Sequence, residues 1–268
     1  MKKKIIAVVI SLGLLTSAVP AAGAVSLQVD NSKTSAFLSV INNTTYVPLR
    51  AVTNLLVNGA SISWVNGCAI VKTSNLTLIA RPGDSYLEAN GRMLYIKDGV
   101  KAVNGAVMVP IRVLAKALGA SLTWDSVTEL ISVISGSGSI TSGDTYYDSN
   151  AVYWLSHIIS AESGSEPLAG KLAVGNVVLN RVASADFPDT IYDVIFDLSW
   201  GGQFEPVSNG TIYNTPTEES ILAAKLCLDG ASVVGASLYF LNPAKASNFW
   251  AVNNCTYIAT IGSHQFYA

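Results

Sequence analysis

The stretch from Leu155 to Val182 constrains this chain more than any other. Val152, Leu155, Ile158, Ile159 and Glu162 recur at helical spacing, so the only carboxylate of this first helix falls on or beside its apolar stripe. Gly164 and Pro167 end that helix. Leu168, Leu172, Val178, Leu179 and Val182 then form a second apolar face. Two helices joined by a tight break must pack on each other. A carboxylate at the end of the first, facing the second, is how a general acid with a raised pKa can be built. The plainer reading of Glu162 is a solvated residue near a helix end. Glu166 is the rival acid, and before Pro167 it can simply favour the positive start of the second helix.

The chain has 268 residues, enough for two domains. Lys2, Lys3 and Lys4, the apolar run Ile5–Leu15 and the small residues Ala22-Gly23-Ala24 read as a signal peptide over residues 1–24, with Val25 as the first mature residue. No later stretch is long and apolar enough to span a membrane. Residues 25–135 hold nine Lys/Arg and six Asp/Glu, a net of +3; residues 136–268 hold four and twelve, a net of −8. The acidic half argues against nucleic acid as a partner. Export permits disulfides, and Cys227 and Cys255, in the same C-terminal region, are the candidate pair; three buried thiols are the alternative. No CxxC occurs, and the two histidines, His157 and His264, lie too far apart in sequence to suggest a zinc site.

Residues 25–134 contain an internal repeat. Tyr46-Val47-Pro48-Leu49-Arg50-Ala51-Val52 leads to Ala60-Ser61-Ile62-Ser63-Trp64, and Met108-Val109-Pro110-Ile111-Arg112-Val113-Leu114 leads to Ala120-Ser121-Leu122-Thr123-Trp124. Each copy reads as a strand, a proline opening a short helix, and a strand carrying Trp. Between them, Leu76–Ala80, Ser85–Ala89 and Met93–Ile96 read as strands, with Asn90-Gly91 as a hairpin turn. The expected class is α+β, rich in β. This repeat resembles the domain family named after the N-terminal domain of copper amine oxidases, over most of residues 27–134. That name does not imply copper here: the region has no His, and Cys68, Met93 and Met108 are too few soft donors. Arg50 and Arg112 read as structural, bonding backbone carbonyls.

Residues 135–145 are rich in Gly and Ser and read as a flexible linker of root-mean-square reach roughly 17–19 Å, letting two domains move independently. Residues 146–268 form the second domain. Within it Thr215-Pro216-Thr217-Glu218 reads as a helix start, with Thr215 as cap and Pro216 in the first position, and Gly230 as the stop. The chain ends in an extended segment from Thr256 to Phe266.

Several separated motifs of this domain agree. Glu162-x-x-x-Glu166-Pro167, Gly170-Lys171-Leu172-Ala173-Val174, Val178-Leu179-Asn180-Arg181-Val182, Phe187-Pro188-Asp189-Thr190, Gln203-Phe204 to Val207, Gly210-Thr211-Ile212-Tyr213, Tyr239-Phe240-x-Asn242-Pro243 and Ile261-Gly262-x-His264-x-Phe266 resemble the spore cortex-lytic (SleB-type) cell-wall hydrolase family, over about residues 152–267. The resemblance implies a mainly helical, lysozyme-like fold related to lytic transglycosylases, and cleavage of the bond between N-acetylmuramic acid and N-acetylglucosamine in peptidoglycan, with no cofactor. It makes Glu162, the first Glu of its motif, the catalytic acid. The family usually follows that Glu with Ala and a basic residue, where this chain has Ser163 and Gly164.

The implied chemistry is proton donation by Glu162 to the glycosidic oxygen. The muramic acid 6-hydroxyl, or water, then attacks C1; the sequence leaves both outcomes open, and Glu166 and Glu205 as candidate second acids. Candidate substrate-binding residues are Gln203, Phe204, Tyr213, Tyr239, Asn242 and His264, with Trp250 as a further aromatic; for each ring, burial in the core is the competing reading. The expected partner is a peptidoglycan glycan strand, and the expected location is the cell wall or outside the cell. A non-catalytic wall-binding protein is the alternative function.

Overall fold

A computed structural model of the chain describes residues 25–199 and 202–268. The leader read over residues 1–24 lies outside the described residues. The two Val-Pro-aliphatic-Arg stretches adopt the same succession. Strand Thr44–Pro48 leads into helix α1 (Leu49–Leu56) and strand Ser61–Val65; strand Ala106–Pro110 leads into helix α2 (Ile111–Ala117) and strand Ser121–Asp125. The proline-ended strands pair antiparallel with each other, Met108 opposite Pro48 and Pro110 opposite Tyr46. Pro48 and Pro110 are the last strand residues and the helix caps, not first helical residues. A ring that fixes φ and lacks an N–H suits the corner where a strand turns into a helix.

A five-stranded antiparallel meander from Ser61 to Tyr95 follows the first copy. Its last hairpin turns at Asn90 (φ 50°) and Gly91 (φ 76°), both left-handed, as a two-residue hairpin turn demands. Strand Ser26–Val29 closes the domain by lying parallel to strand Leu130–Ile134, so the two ends of this region meet. Tyr46, Leu78, Leu87, Met108 and Leu114 are fully buried at its centre.

The second region is mainly helical: α3 (Gly143–Tyr146), α4 (Ser149–Ser163), α5 (Leu168–Val182), α6 (Ile191–Phe196), α7 (Glu205–Asn209), α8 (Glu218–Leu228) and α9 (Trp250–Asn254). A three-stranded antiparallel sheet ends it, with His264–Tyr267 between Tyr239–Leu241 and Tyr257–Ile261. Helix α5 lies at the middle, against α4, α6 and α8 and against the terminal sheet. It is buried nearly all round, and its polar residues Lys171, Asn176 and Arg181 are buried with the rest. Gly175 permits this packing: a Cβ there would lie 2.8 Å from Cys227 Sγ and 2.9 Å from Ile159 Cδ1.

Three expectations are corrected. The cap of α8 is Thr217, whose hydroxyl accepts the Ser220 N–H at 3.1 Å, two residues beyond the expected Thr215; Gly230 follows at φ +99°. No Cys227–Cys255 disulfide forms, and all three cysteines are free thiols. Cys227 faces inward from α8 with its Sγ 3.5 Å from the Leu172 carbonyl oxygen, committed to the α5 interface.

The third correction concerns residues 135–145, which are not a free tether. Asp30 accepts Ser135 N–H at 2.8 Å, Ile140 N–H donates to Ala117 O at 3.0 Å, and Gly143 N–H donates to Asn90 O at 2.8 Å. The Asn90-Gly91 hairpin tip thus holds the connector. The two regions dock through Asp229, at the C-terminal end of α8. Its carboxylate accepts Arg92 Nε at 3.0 Å, Lys116 Nζ at 2.9 Å and Tyr147 O–H at 2.7 Å, and the Tyr147 hydroxyl accepts the Met93 N–H at 3.0 Å. Tyr86, Met93 and Tyr95 of the meander pack on the helical core beside it.

Candidate active site

Glu162 stands in the last turn of α4, whose N-terminus Asp148 caps by accepting the Ala151 N–H at 2.8 Å. Its side chain enters a cavity of about 720 Å³. Burial pushes its carboxyl up to about 7, the nearby charge of Glu205 adds to the rise, and Arg181 opposes it. The partial negative charge at a helix C-terminus acts in the same direction as Glu205. An acid with a pKa near neutrality is matched to both giving and taking a proton there.

Glu166, four residues on, is built the opposite way. Its carboxylate accepts the Ser263 N–H at 3.1 Å and the Ser263 hydroxyl, with His264 Nδ1 3.9 Å away. The Ser263 hydroxyl hydrogen bond is the largest influence and holds the carboxyl below the usual Glu range, so it is ionised at neutral pH. A Cβ on Gly262 would collide with this carboxylate, and one on Gly170 would press on the Glu166 side chain at 2.9 Å. These glycines are the space Glu166 occupies. Buried Lys171 binds the Glu166 carbonyl and pairs with Glu219 of α8 at 2.7 Å. The break after Glu162 is therefore pinned from both sides.

Arg181 was named in the sequence only as part of a motif, yet it organises the cavity wall. It is buried in α5, donates Nε to Leu238 O at 2.8 Å, and donates Nη1 to Gln203 Oε1 at 3.3 Å. Its guanidinium carbon lies 4.9 Å from the ring centre of Phe187, 5.2 Å from that of Phe204 and 5.7 Å from that of Tyr239. Burial pulls its pKa down to about 10, so it stays charged at neutral pH. Asn176 and Asn180 continue this polar edge by bonding the backbone of residues 231–237. Polar side chains on a helix whose other residues are apolar nearly all round are the sequence signal that could have marked Arg181, together with Lys171 and Asn176.

Gln203, Asn242 and His264 line the cavity with Glu162, as do Glu166, Glu205 and Lys245. His264 is buried, with Nδ1 lacking a hydrogen-bond partner, and burial lowers its pKa, so the ring is neutral at pH 7. The aromatic residues are dispersed. Phe204 is only 5% exposed and lies under Arg181 as core. Tyr213, 62% exposed, sits beside Trp154 and does not line the cavity. Tyr239 and Trp250, ring centres 5.3 Å apart, line an adjoining cavity of about 940 Å³ that shares Gln203 with the first.

Comparison with known proteins agrees with this division. Residues 165–267 match the family model described as Cell Wall Hydrolase, and residues 28–133 match the Copper amine oxidase N-terminal domain. The C-terminal region is a cell wall hydrolase domain. The first match begins just after Glu162, so the assignment of that residue rests on its own geometry and motif. The spore cortex-lytic enzyme of Bacillus cereus is 37% identical over 120 residues, covering 45% of each chain, and that of Halalkalibacterium halodurans is 34% identical over 120 residues, covering 45% of this chain and 35% of that protein. The chain thus spans less than half the length of these relatives. The solved catalytic domain of the germination-specific lytic transglycosylase SleB from Bacillus anthracis is 36% identical, covering 46% of this chain and 97% of that one, with a TM-score of 0.42. Among the described residues there is no group of three or more His, Cys, Asp or Glu that could hold a metal ion.

Proposed function

We propose that this protein is an exported peptidoglycan-lytic enzyme cleaving the N-acetylmuramic acid to N-acetylglucosamine bond as a lytic transglycosylase, with Glu162 as its single acid and base. Residues 146–268 are the catalytic domain, lysozyme-like in arrangement, and residues 25–134 associate with the wall. The observation that carries the reading is a half-buried carboxyl, pushed up to about 7, in the wall of a cavity of about 720 Å³. The spore cortex-lytic names of the relatives point to the same polymer.

In this mechanism Glu162 gives its proton to the glycosidic oxygen and the bond to C1 breaks. The resulting carboxylate takes the proton of the muramic acid 6-hydroxyl as that oxygen attacks C1, closing a 1,6-anhydro ring. Glu166 is spent on Ser263 and serves as a brace. Glu205 is exposed and acts through its charge on Glu162. Gln203, oriented by Arg181 and by its own bond to Ser199 O at 3.0 Å, presents its amide where the two cavities meet. The glycan runs from Glu162 past Gln203 toward Tyr239 and Trp250, whose rings offer faces to sugars.

Incubation with purified peptidoglycan and mass analysis of the released muropeptides tests this. Release by the parent, with products lighter by one water than hydrolytic ends, and a loss of about 10²–10⁴-fold in Glu162→Gln, is expected. Full-mass reducing ends would replace the transglycosylase by a hydrolase. Equal silence of parent and variant would leave a wall-binding protein.

A further inference from the structure

A separate cavity of about 690 Å³ lies on the first domain, over the start of α2 and the strand Ser121–Asp125, with Gly230 and Ser232 of the second domain on its rim. Ile111, Val113 and Leu122 give it an apolar floor. Trp124 stands in it 45% exposed, and its charged lining groups are Lys97 and Arg112, both cations. No carboxylate lines it.

The two similar halves of the domain show what is unusual here. Arg50 and Arg112 follow equivalent proline corners. Arg50 donates Nη2 to Ile62 O at 3.0 Å, on the strand that carries Trp64, and so performs the structural task its motif suggests. Arg112 makes no side-chain hydrogen bond or ion pair among the described residues, although the strand that carries Trp124 follows its helix in the same chain order. Its guanidinium is free to take a ligand, beside an exposed indole.

We propose that this cavity is a second binding site for the wall polymer, taking a carboxylate-bearing segment of peptidoglycan on Arg112 and Lys97 with a sugar ring laid on Trp124. The assignment rests on the wall reading of the function but not on catalysis. Arg is suited to a carboxylate because its planar fork can make two parallel hydrogen bonds. The net charge of +3 over residues 25–135 favours an anionic ligand, whereas the catalytic half carries −8. The site is also held in place. Gly230, on the cavity rim, directly follows Asp229, the residue that joins the two regions.

The test uses the full chain carrying Glu162→Gln, so that the polymer is not consumed, co-sedimented with peptidoglycan stripped of teichoic acid. Adding Lys97→Ala and Arg112→Ala together is expected to weaken binding about tenfold, roughly 1.4 kcal/mol. Converting the polymer's carboxylates to amides is expected to weaken the parent equally and the double variant no further. Arg112→Lys, which keeps the charge but loses the planar fork, is expected to retain only part of the binding, and matching thermal melts verify that the variants fold. With Glu162 intact, the double variant cleaves a short soluble glycan at the parent rate. Unchanged sedimentation of the double variant overturns the proposal. So does binding that depends on Arg112 only when teichoic acid is present, which would assign the site to a phosphate polymer. Arg112-dependent binding without any cleavage would sink the catalytic reading and leave this one standing.

Discussion

Asp229 and Glu162 are both carboxyls withdrawn from solvent, and the chain treats them oppositely. Burial alone would raise the Asp229 carboxyl, but hydrogen bonds from Arg92, Tyr147 and Lys116 take it below the usual Asp range. Around Glu162 burial is the largest influence and no hydrogen bond among the described residues relieves it, so its carboxyl rises to about 7. The difference is one of partners, not of depth. A buried carboxylate saturated with donors becomes a rivet, here between two domains. One left without such donors holds its proton to higher pH.

Asp229→Ala breaks the comparison most severely. It leaves the Arg92 guanidinium buried and uncompensated, and a loss of about 3–5 kcal/mol in chemical denaturation is expected. A parent in which the pairing contributed nothing would show less than 1 kcal/mol. Because the folded pKa of Asp229 is depressed, its contribution is present above the unfolded value and is lost as pH falls through the folded one. Docking of the domains should therefore weaken in acid, which domain-resolved hydrogen exchange would register.

Glu162→Gln is the converse. The folded pKa is raised, so the stability linked to the bound proton is complete below the unfolded pKa and is lost as pH rises through about 7. The variant should be more stable than the parent at pH 8.5, by on the order of 3 kcal/mol, with the advantage disappearing below pH about 4. Parent activity should fall over the same rise through about 7, because the protonated acid disappears. A rate still climbing at pH 9 would contradict this.

Two smaller changes sharpen the contrast by altering the charges that face Glu162. Arg181→Met removes the cation that opposes the rise, so the alkaline fall in activity should move to higher pH. It should also cost about 1–3 kcal/mol, since the Leu238 carbonyl and Gln203 lose their partner. Glu205→Gln removes the charge that adds to the rise, so the fall should move to lower pH. Glu205 is exposed, and its replacement should change stability by less than about 0.5 kcal/mol.

Local features were legible before any coordinates. The helix pair Ser149–Ser163 and Leu168–Val182, the Asn90-Gly91 hairpin and the stop at Gly230 follow from periodicity and from residues that tolerate a positive φ. Glu162 was legible for the same reason, since helical spacing alone put it beside the apolar stripe. The cap of α8 was displaced by two residues because Thr215 and Thr217 carry the same signal and only packing separates them. The Gly/Ser composition of residues 135–145 suggested freedom. The hydrogen bonds that remove it come from Asp30, Ala117 and Asn90, far away in the chain.

The sequence by itself determined two regions and their kinds of secondary structure, because those depend on neighbours within a few positions. Tertiary structure alone decided which charged groups are spent and which are free. Asp229 meets Arg92 across 137 residues, Gln203 meets Arg181 across 22, and Arg112 meets no partner among the described residues where its counterpart Arg50 does. Charge states in an interior are set by whatever the fold brings within a few ångströms, and no local pattern in the chain encodes that distance.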